Sequence, residues 1–202
     1  FDELFTLETG LMYMKSDDSD VTGISIDVSK GDEFISKLPF ELTSGQRESW
    51  NEIKDDLQKP KKMNRLLQGD VGSGKTIIAE AAMLSAAASG FQSVIMAPTE
   101  LLARQHFDTF VKDLSDHEIS PVILISSMKA SDKRMAMESI SSGKAKVIIA
   151  THAVLEENIV FKNLGLVITD EQHRFGVNQR RKLSGKGEGV NILVMTATPI
   201  PR

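Results

Sequence analysis

The sequence contains no cysteine. Disulfides, thiol nucleophiles and Cys-based zinc sites are therefore excluded, and a reducing compartment is compatible with the composition. Aromatic residues make up only 5%, and Trp50 and Tyr13 are single examples of their types. A row of aromatic platforms for stacked bases is therefore not expected. No apolar run approaches the roughly 18 residues that span a bilayer, so no membrane partner is expected. No secretory-leader pattern is read from Phe1 onward, and a cytoplasmic location is expected. Charge of one sign is also scarce: 24 Lys and Arg stand against 28 Asp and Glu, a net of -4. The small sum hides an uneven distribution, because residues 1–33 hold nine acids and two lysines. The remainder is mildly basic, which permits a nucleic-acid partner without requiring one.

The chain has 202 residues, of which 41% are hydrophobic, which suits one large domain or one domain plus an appendage. Residues 1–14 carry apolar positions at Phe1, Leu4, Phe5, Leu11 and Met12, the spacing of a short amphipathic helix. Residues 15–33 are polar, with Ser, Asp and Gly scattered through them, and read as an acidic linker. The compact domain, 34–202, is expected to begin near Phe34. Short runs of Val, Ile and Leu then recur at 65–68, 93–97, 122–125, 146–150, 164–169 and 191–196. They do not alternate strictly, as expected for strands buried on both faces. Helical patterns lie near 44–57, 75–89, 100–114, 130–142 and 177–183. Strands and helices in alternation predict an α/β fold with a mostly parallel central sheet. The segment 77–88 is apolar almost all round, so its helix should be central.

Gly69, Asp70, Val71, Gly72, Ser73, Gly74, Lys75 and Thr76 match the pattern G-x-x-x-x-G-K-[ST] between a predicted strand and that central helix. The glycines let the backbone turn tightly and approach phosphate oxygens. Successive N–H groups and the positive end of the helix bind the anion. Lys75 is placed to reach the β and γ phosphates, and Thr76 to give its hydroxyl to Mg²⁺. A second hydrophobic strand runs into Asp170-Glu171-Gln172-His173. Asp170 can hold Mg²⁺ through water and Glu171 can polarise an attacking water. Acids at a strand end are usually just solvated; the phosphate loop upstream gives these their weight. Thr196 and Thr198 follow the last strand, either as links from the γ-phosphate pocket to another surface or as an ordinary strand exit. Gln46 has two readings. Its amide can bond an adenine edge bidentately, or it can close a T-x-x-Q capping box with Thr43.

LTSGQ (42–46), GDVGSGKT (69–76), APTELLARQH (97–106), ATHAVL (150–155), DEQHRFGVNQR (170–180) and TATPIPR (196–202) together resemble the first motor domain of superfamily 2 helicases. Within them the strings are most similar to the RecG-like family, which remodels branched DNA. The resemblance covers 34–202 and implies a three-layer RecA-like P-loop domain. It implies ATP hydrolysis, with Mg²⁺, coupled to unwinding or remodelling of stalled forks and Holliday junctions in repair and recombination. It makes Gln46 the adenine reader and Lys75, Asp170, Glu171 and His173 the catalytic set, with His173 also the link from the γ-phosphate to Thr196 and Thr198. It assigns Pro98, Thr99, Thr151 and His152 to a DNA strand backbone, where small hydroxyls and N–H groups suit binding without sequence preference. Thr99 is equally placed to cap the helix that follows it. Ser126-Ser127 stands where relatives often have Gly-Ser. Arg174, Arg180, Arg181 and Lys182 make a basic cluster that suits DNA, a second domain or plain solvent. The resemblance further implies a wedge domain and a second motor lobe with an arginine finger, in cis, neither of which is found in this chain. The expectation is a piece of a longer protein that alone binds ATP–Mg²⁺ weakly and turns it over very slowly. An Mfd-like duplex translocase is the neighbouring alternative, and a small-molecule P-loop kinase the alternative from another class; Gln172 speaks against the first, the DEQH and TATP strings against the second.

Overall fold

Strands that are apolar along their whole length need cover on both faces, and the computed structural model supplies it. It describes residues 22–117, 119–170, 182–183 and 185–197. The described strands are β1 (Asn64–Gln68), β2 (Gln92–Met96), β3 (Val122–Leu124), β4 (Val147–Ala150), β5 (Leu164–Thr169) and β6 (Asn191–Thr196). They form one sheet in the order β1-β6-β5-β2-β4-β3, parallel throughout. Every strand falls within one residue of its expected bounds.

Successive residues of each strand face opposite layers. Ile95, Ile149, Ile168 and Leu193 join one apolar cluster, while Val94, Ile148 and Val167 join another. The first is completed by helices α1 (Ser29–Ser36), α2 (Ser44–Leu57), α3 (Lys75–Ala88) and α4 (Glu100–Asp113). The second is completed by α5 (Ala130–Ser141) and the short turn His152–Leu155. The result is a three-layer α/β domain with two cores. Helix α3 is buried from Ile78 to Ala87, as its all-round apolar pattern requires. The helices expected at 1–14 and 177–183 lie outside, or largely outside, the described residues. Among the described residues no helix is long and apolar enough to cross a membrane.

The acidic stretch is a correction. Ile26 and Val28 are buried, and α1 lies against α3. Gly31 sits so close to α3 that a Cβ there would come within 2.5 Å of Ser85 Oγ and 2.7 Å of the Ala81 carbonyl oxygen. The Ile26 N–H donates to the Leu57 carbonyl at 2.8 Å, and Trp50 Nε1 donates to Asp32 at 2.8 Å. Residues 22–33 therefore belong to the domain, not to a linker ending at Phe34. Their apolar residues, Ile24, Ile26 and Val28, alternate singly among polar ones and so read as linker composition.

Two buried amides pin the sheet at its N-terminal edge. Gln92 Nε2 donates to the Ile140 and Ala145 carbonyls at 2.9 and 2.8 Å, and Oε1 accepts from the Lys162 and Asn163 N–H groups at 2.9 and 3.0 Å. Asn191 Oδ1 accepts from the Met63 N–H at 2.8 Å, and Nδ2 donates to the Ile24 carbonyl at 2.9 Å. Each amide satisfies groups that burial would otherwise leave unpaired.

Glu80 breaks that rule. It lies inside α3, 1% exposed, and neither carboxyl oxygen has a hydrogen-bond partner. Burial pushes its pKa from 4.5 up to about 8, and repulsion from Asp113 adds to the effect. The folded state therefore keeps a proton that the unfolded chain gives up. Stability is full below pH 4.5 and falls as the pH rises towards 8, by about 1.4 kcal/mol per unit at most. Glu80→Gln should flatten this slope and raise stability at pH 8 relative to the wild type. Urea denaturation at pH 5, 6.5 and 8 checks it; equal slopes in both proteins would refute it.

Candidate nucleotide-binding site

In a parallel α/β sheet, ligands gather at the carboxyl ends of the strands, where the chain leaves the sheet and turns. The loop after β1 is the strongest such feature. The Gly69 N–H donates to the Thr196 carbonyl at 3.2 Å, which ties the loop's root to β6. The Ser73 N–H donates to the Asp70 carbonyl at 3.1 Å and closes the turn. Gly74 has φ +78, where a side chain would strain the backbone, and a Cβ there would stand 2.3 Å from Gln46 Nε2 and displace that amide. Helix α3 starts at Lys75 with no side-chain cap. Its first N–H groups are thus directed at whatever occupies the loop. Lys75 Nζ donates to the Gly69 and Asp70 carbonyls at 2.6 and 2.8 Å, which holds the ammonium at the rim of the loop.

Two clefts flank the loop. One, of about 490 Å³, is lined by Gly72, Gly74, Lys75 and Thr76 on one side and by Pro98, Leu102, Asp170, Met195 and Ala197 on the other. The second, of about 210 Å³, runs between the loop and the start of α2, past Thr43, Gly45, Gln46, Gly69 and Ser73. The Asp170 N–H donates to the Met96 carbonyl at 3.0 Å, so the main chain at this acid is fixed to β2. The Thr76 hydroxyl and the Asp170 carboxylate share the larger cleft. Among the described residues no three acidic or histidine side chains form a metal cage. Two hard oxygens on one cleft, with room for phosphate and water, fit Mg²⁺ rather than a caged ion.

Gln46 closes the capping box: its N–H donates to Thr43 Oγ1 at 3.3 Å, and its Oε1 accepts from the Thr43 N–H at 2.9 Å. The same amide also donates to the Ser73 carbonyl at 2.7 Å, so it ties α2 to the phosphate loop. Each end of the amide keeps one unused hydrogen-bonding position by stoichiometry, and the adenine reading stays open.

Pro98 and Thr99 leave β2, and Thr99 Oγ1 caps α4 by accepting from the Leu102 N–H at 3.3 Å. Thr151 leaves β4 with its N–H bonded to the Leu124 carbonyl at 3.2 Å; it is buried, whereas His152 is exposed. Ser127, after β3, is held by Glu100: the carboxylate accepts from its N–H at 3.0 Å and from its hydroxyl. These bonds from Ser127 hold the Glu100 carboxyl below its usual range. Thr196 ends β6 and is buried. Glu171, His173, Thr198, Arg174, Arg180 and Arg181 lie outside the described residues.

His106 was not singled out by the sequence, yet its Nε2 lies 2.9 Å from Asp170 Oδ2, and the two side chains are only 11% and 14% exposed. Its sequence signal is weak: one histidine on the face of α4 that also carries Leu102 and Phe110.

A family model described as DEAD/DEAH box helicase matches residues 43–202. ATP-dependent DNA helicase RecG of Staphylococcus epidermidis is 46% identical over an alignment of 206 residues, covering 100% of this chain and 30% of that protein. Its namesake from Thermotoga maritima is 45% identical over 204 residues, covering 100% of this chain and 26% of that protein. The chain thus spans less than a third of these relatives. A structure of RecG bound to a three-way DNA junction superimposes with a TM-score of 0.84 at 43% identity, over 100% of this chain and 27% of that one. The UvsW helicase of bacteriophage T4 superimposes with a TM-score of 0.62 at 17% identity, over 88% of this chain and 62% of that one, and shows a shared fold. The fold is the RecA-like helicase fold.

The capping box has a measurable consequence of its own. Thr43→Ala should cost about 1 kcal/mol, which lowers the melting temperature by roughly 2–4 °C in a domain of this size. Gln46→Ala should cost at least as much, because it also frees the Ser73 carbonyl. Thermal unfolding by circular dichroism checks both, and unchanged midpoints would show that the cap contributes nothing.

Proposed function

Because the chain belongs to the DEAD/DEAH box helicase family, we propose that it is the ATP-binding motor lobe of a RecG-like helicase that unwinds or remodels branched DNA. The observation that carries this reading is the convergence of the phosphate loop, the uncapped start of α3 and the Asp170 carboxylate on one cleft at the strand ends. A second lobe and a wedge domain, joined in cis, complete the machine, which works on chromosomal DNA in the cytoplasm.

The first N–H groups of α3 and the turn 69–74 receive the phosphates. Lys75 exchanges its loop carbonyls for β- and γ-phosphate oxygens, a swing that needs no backbone movement. Thr76 and Asp170 are the residues that hold Mg²⁺, which neutralises phosphate charge when bound. Glu171 orients and polarises the attacking water. Gln46 uses the free positions of its amide on adenine. His173, Thr196 and Thr198 relay the state of the γ-phosphate towards the DNA side. Pro98, Thr99, Thr151 and His152 stand at the exits of β2 and β4, where they meet one DNA strand backbone. His152 is the exposed member; Thr151 contributes through its backbone neighbourhood, since its side chain is buried.

The test is ATP turnover by the intact helicase without DNA, with linear duplex and with a forked junction. Strong stimulation by the fork and weak stimulation by linear duplex are expected. Lys75→Ala should lower turnover at least a hundredfold on every substrate. The isolated chain, lacking an arginine from a second lobe, should run at least a thousandfold slower than the intact enzyme on forks. Equal stimulation by linear duplex would assign the lobe to a duplex translocase of the Mfd kind. No response to DNA would remove the helicase reading and leave nucleotide binding.

A further inference from the structure

We infer that His106 is a positioning residue of the metal site, aiming the Asp170 carboxylate, and that α4 couples it to the proposed DNA-facing loop. The inference rests on the reading of Thr76 and Asp170 as the Mg²⁺ site. The backbone bond from Asp170 to Met96 fixes the main chain of the acid but leaves its carboxylate free to rotate. Among the described residues, the contact at Oδ2 comes from His106 Nε2, at 2.9 Å. With Oδ2 engaged, Oδ1 is the oxygen left for the cleft that Thr76 lines. A ligating carboxylate held this way by a donor behind it keeps its orientation as the ion comes and goes.

The histidine is itself held. Its ring meets the buried Phe110 edge-on, with centroids 6.4 Å apart and planes at 85°. One turn the other way, Leu102 reaches the larger cleft. An ionised Asp170 accepts, so Nε2 carries the donated hydrogen; the neutral Nε2–H ring and the imidazolium both supply it, and the role does not depend on which is present.

Helix α4 begins at the Thr99 cap, directly after Pro98, and Glu100 in its first turn grips Ser127. His106 sits on the same rigid helix. A force on the exits of β2 and β3 that shifts or rotates α4 therefore moves the Nε2 donor relative to Asp170. In the reverse direction, an ion that draws on Asp170 pulls on α4. This is a mechanical connection between the proposed DNA-facing loop and the metal-binding carboxylate that does not pass through the segment after Asp170.

The experiment uses the 202-residue chain, a fluorescent non-hydrolysable ATP analogue and Mg²⁺ as the titrant. His106→Phe keeps the ring and its packing on Phe110 but loses the donor. His106→Gln places an amide N–H near the position of Nε2. In His106→Phe the Mg²⁺ concentration for half-maximal analogue binding should rise about tenfold or more, with Mg²⁺-free analogue affinity and the melting midpoint nearly unchanged. His106→Gln should recover most of the shift. An unaltered Mg²⁺ requirement in His106→Phe, or an equal loss in His106→Gln, would overturn the positioning role while leaving the nucleotide site intact. A wild-type chain that binds the analogue with no dependence on Mg²⁺ would overturn both. Ring ¹⁵N NMR of the wild-type chain supplies a readout that needs no variant. It should show a protonated His106 Nε2 whose signal moves with Mg²⁺ plus analogue and not with analogue alone; an Nδ1–H tautomer would overturn the inference.

Discussion

The register of the parallel sheet at its carboxyl edge is the constraint on which the rest of the molecule depends. Backbone hydrogen bonds continue past the strands: Gly69 to Thr196, Ala97 to Ala150, Thr151 to Leu124 and Asp170 to Met96. Each joins the exits of two neighbouring strands. The phosphate loop, the Pro98-Thr99 turn, Thr151 and Asp170 come from four different strands, and only this lacing brings them to one rim. A slip of one residue in any strand would turn its side chains to the opposite layer. With apolar cores on both faces, such a slip would expose as much as it buried elsewhere, so the packing that stabilises the domain also sets the geometry of its site.

The two ends of the sheet are treated differently. At the amino edge, buried Gln92 and Asn191 pair each of their amide atoms with backbone groups, and the segment 22–28 is stitched to the end of α2, to the turn before β1 and to the start of β6. At the carboxyl edge Lys75 and Gln46 are held by loop carbonyls and a capping box, yet both line the clefts beside the phosphate loop. The proposed site lies at this edge, where the Gln46 amide keeps unused hydrogen-bonding positions. Among the described residues, Glu80 and the Thr169 hydroxyl depart from orderly burial, and Glu80 is the titratable one. Glu80 carries an unsatisfied carboxyl into the middle of α3, and the resulting cost grows as the pH rises.

The fold was largely legible because double-sided burial writes strands as nearly pure apolar runs. The six bounds came within one residue, and α3 declared itself by being apolar all round. The phosphate loop was legible because its chemistry fixes residue types at fixed spacing. Three features were not. Helix α1 was lost in an acidic stretch, since Ile26 and Val28 stand alone between polar neighbours and Gly31 argues locally against a helix. That glycine is needed for close approach to α3, which no local pattern reveals. The clamp of Glu100 on Ser127 joins residues from different strand exits. The contact of His106 with Asp170 spans 64 residues and exists only once β5 and α4 are packed on β2.

Gln46 shows why spacing alone left two readings standing. A capping glutamine and a base-reading glutamine look like rivals only if the amide is counted as a single group. It has two donors and two acceptor positions. One acceptor position takes the Thr43 N–H and one donor takes the Ser73 carbonyl. One of each remains, the pair that an adenine edge requires. The cap also does something for the reader that solvent could not: it fixes the plane and rotamer of the amide in advance, so less ordering remains to be done on binding. Because the same amide grips Ser73, a change in the phosphate loop is passed to the free positions of the amide, the ones that the proposed adenine contact would use.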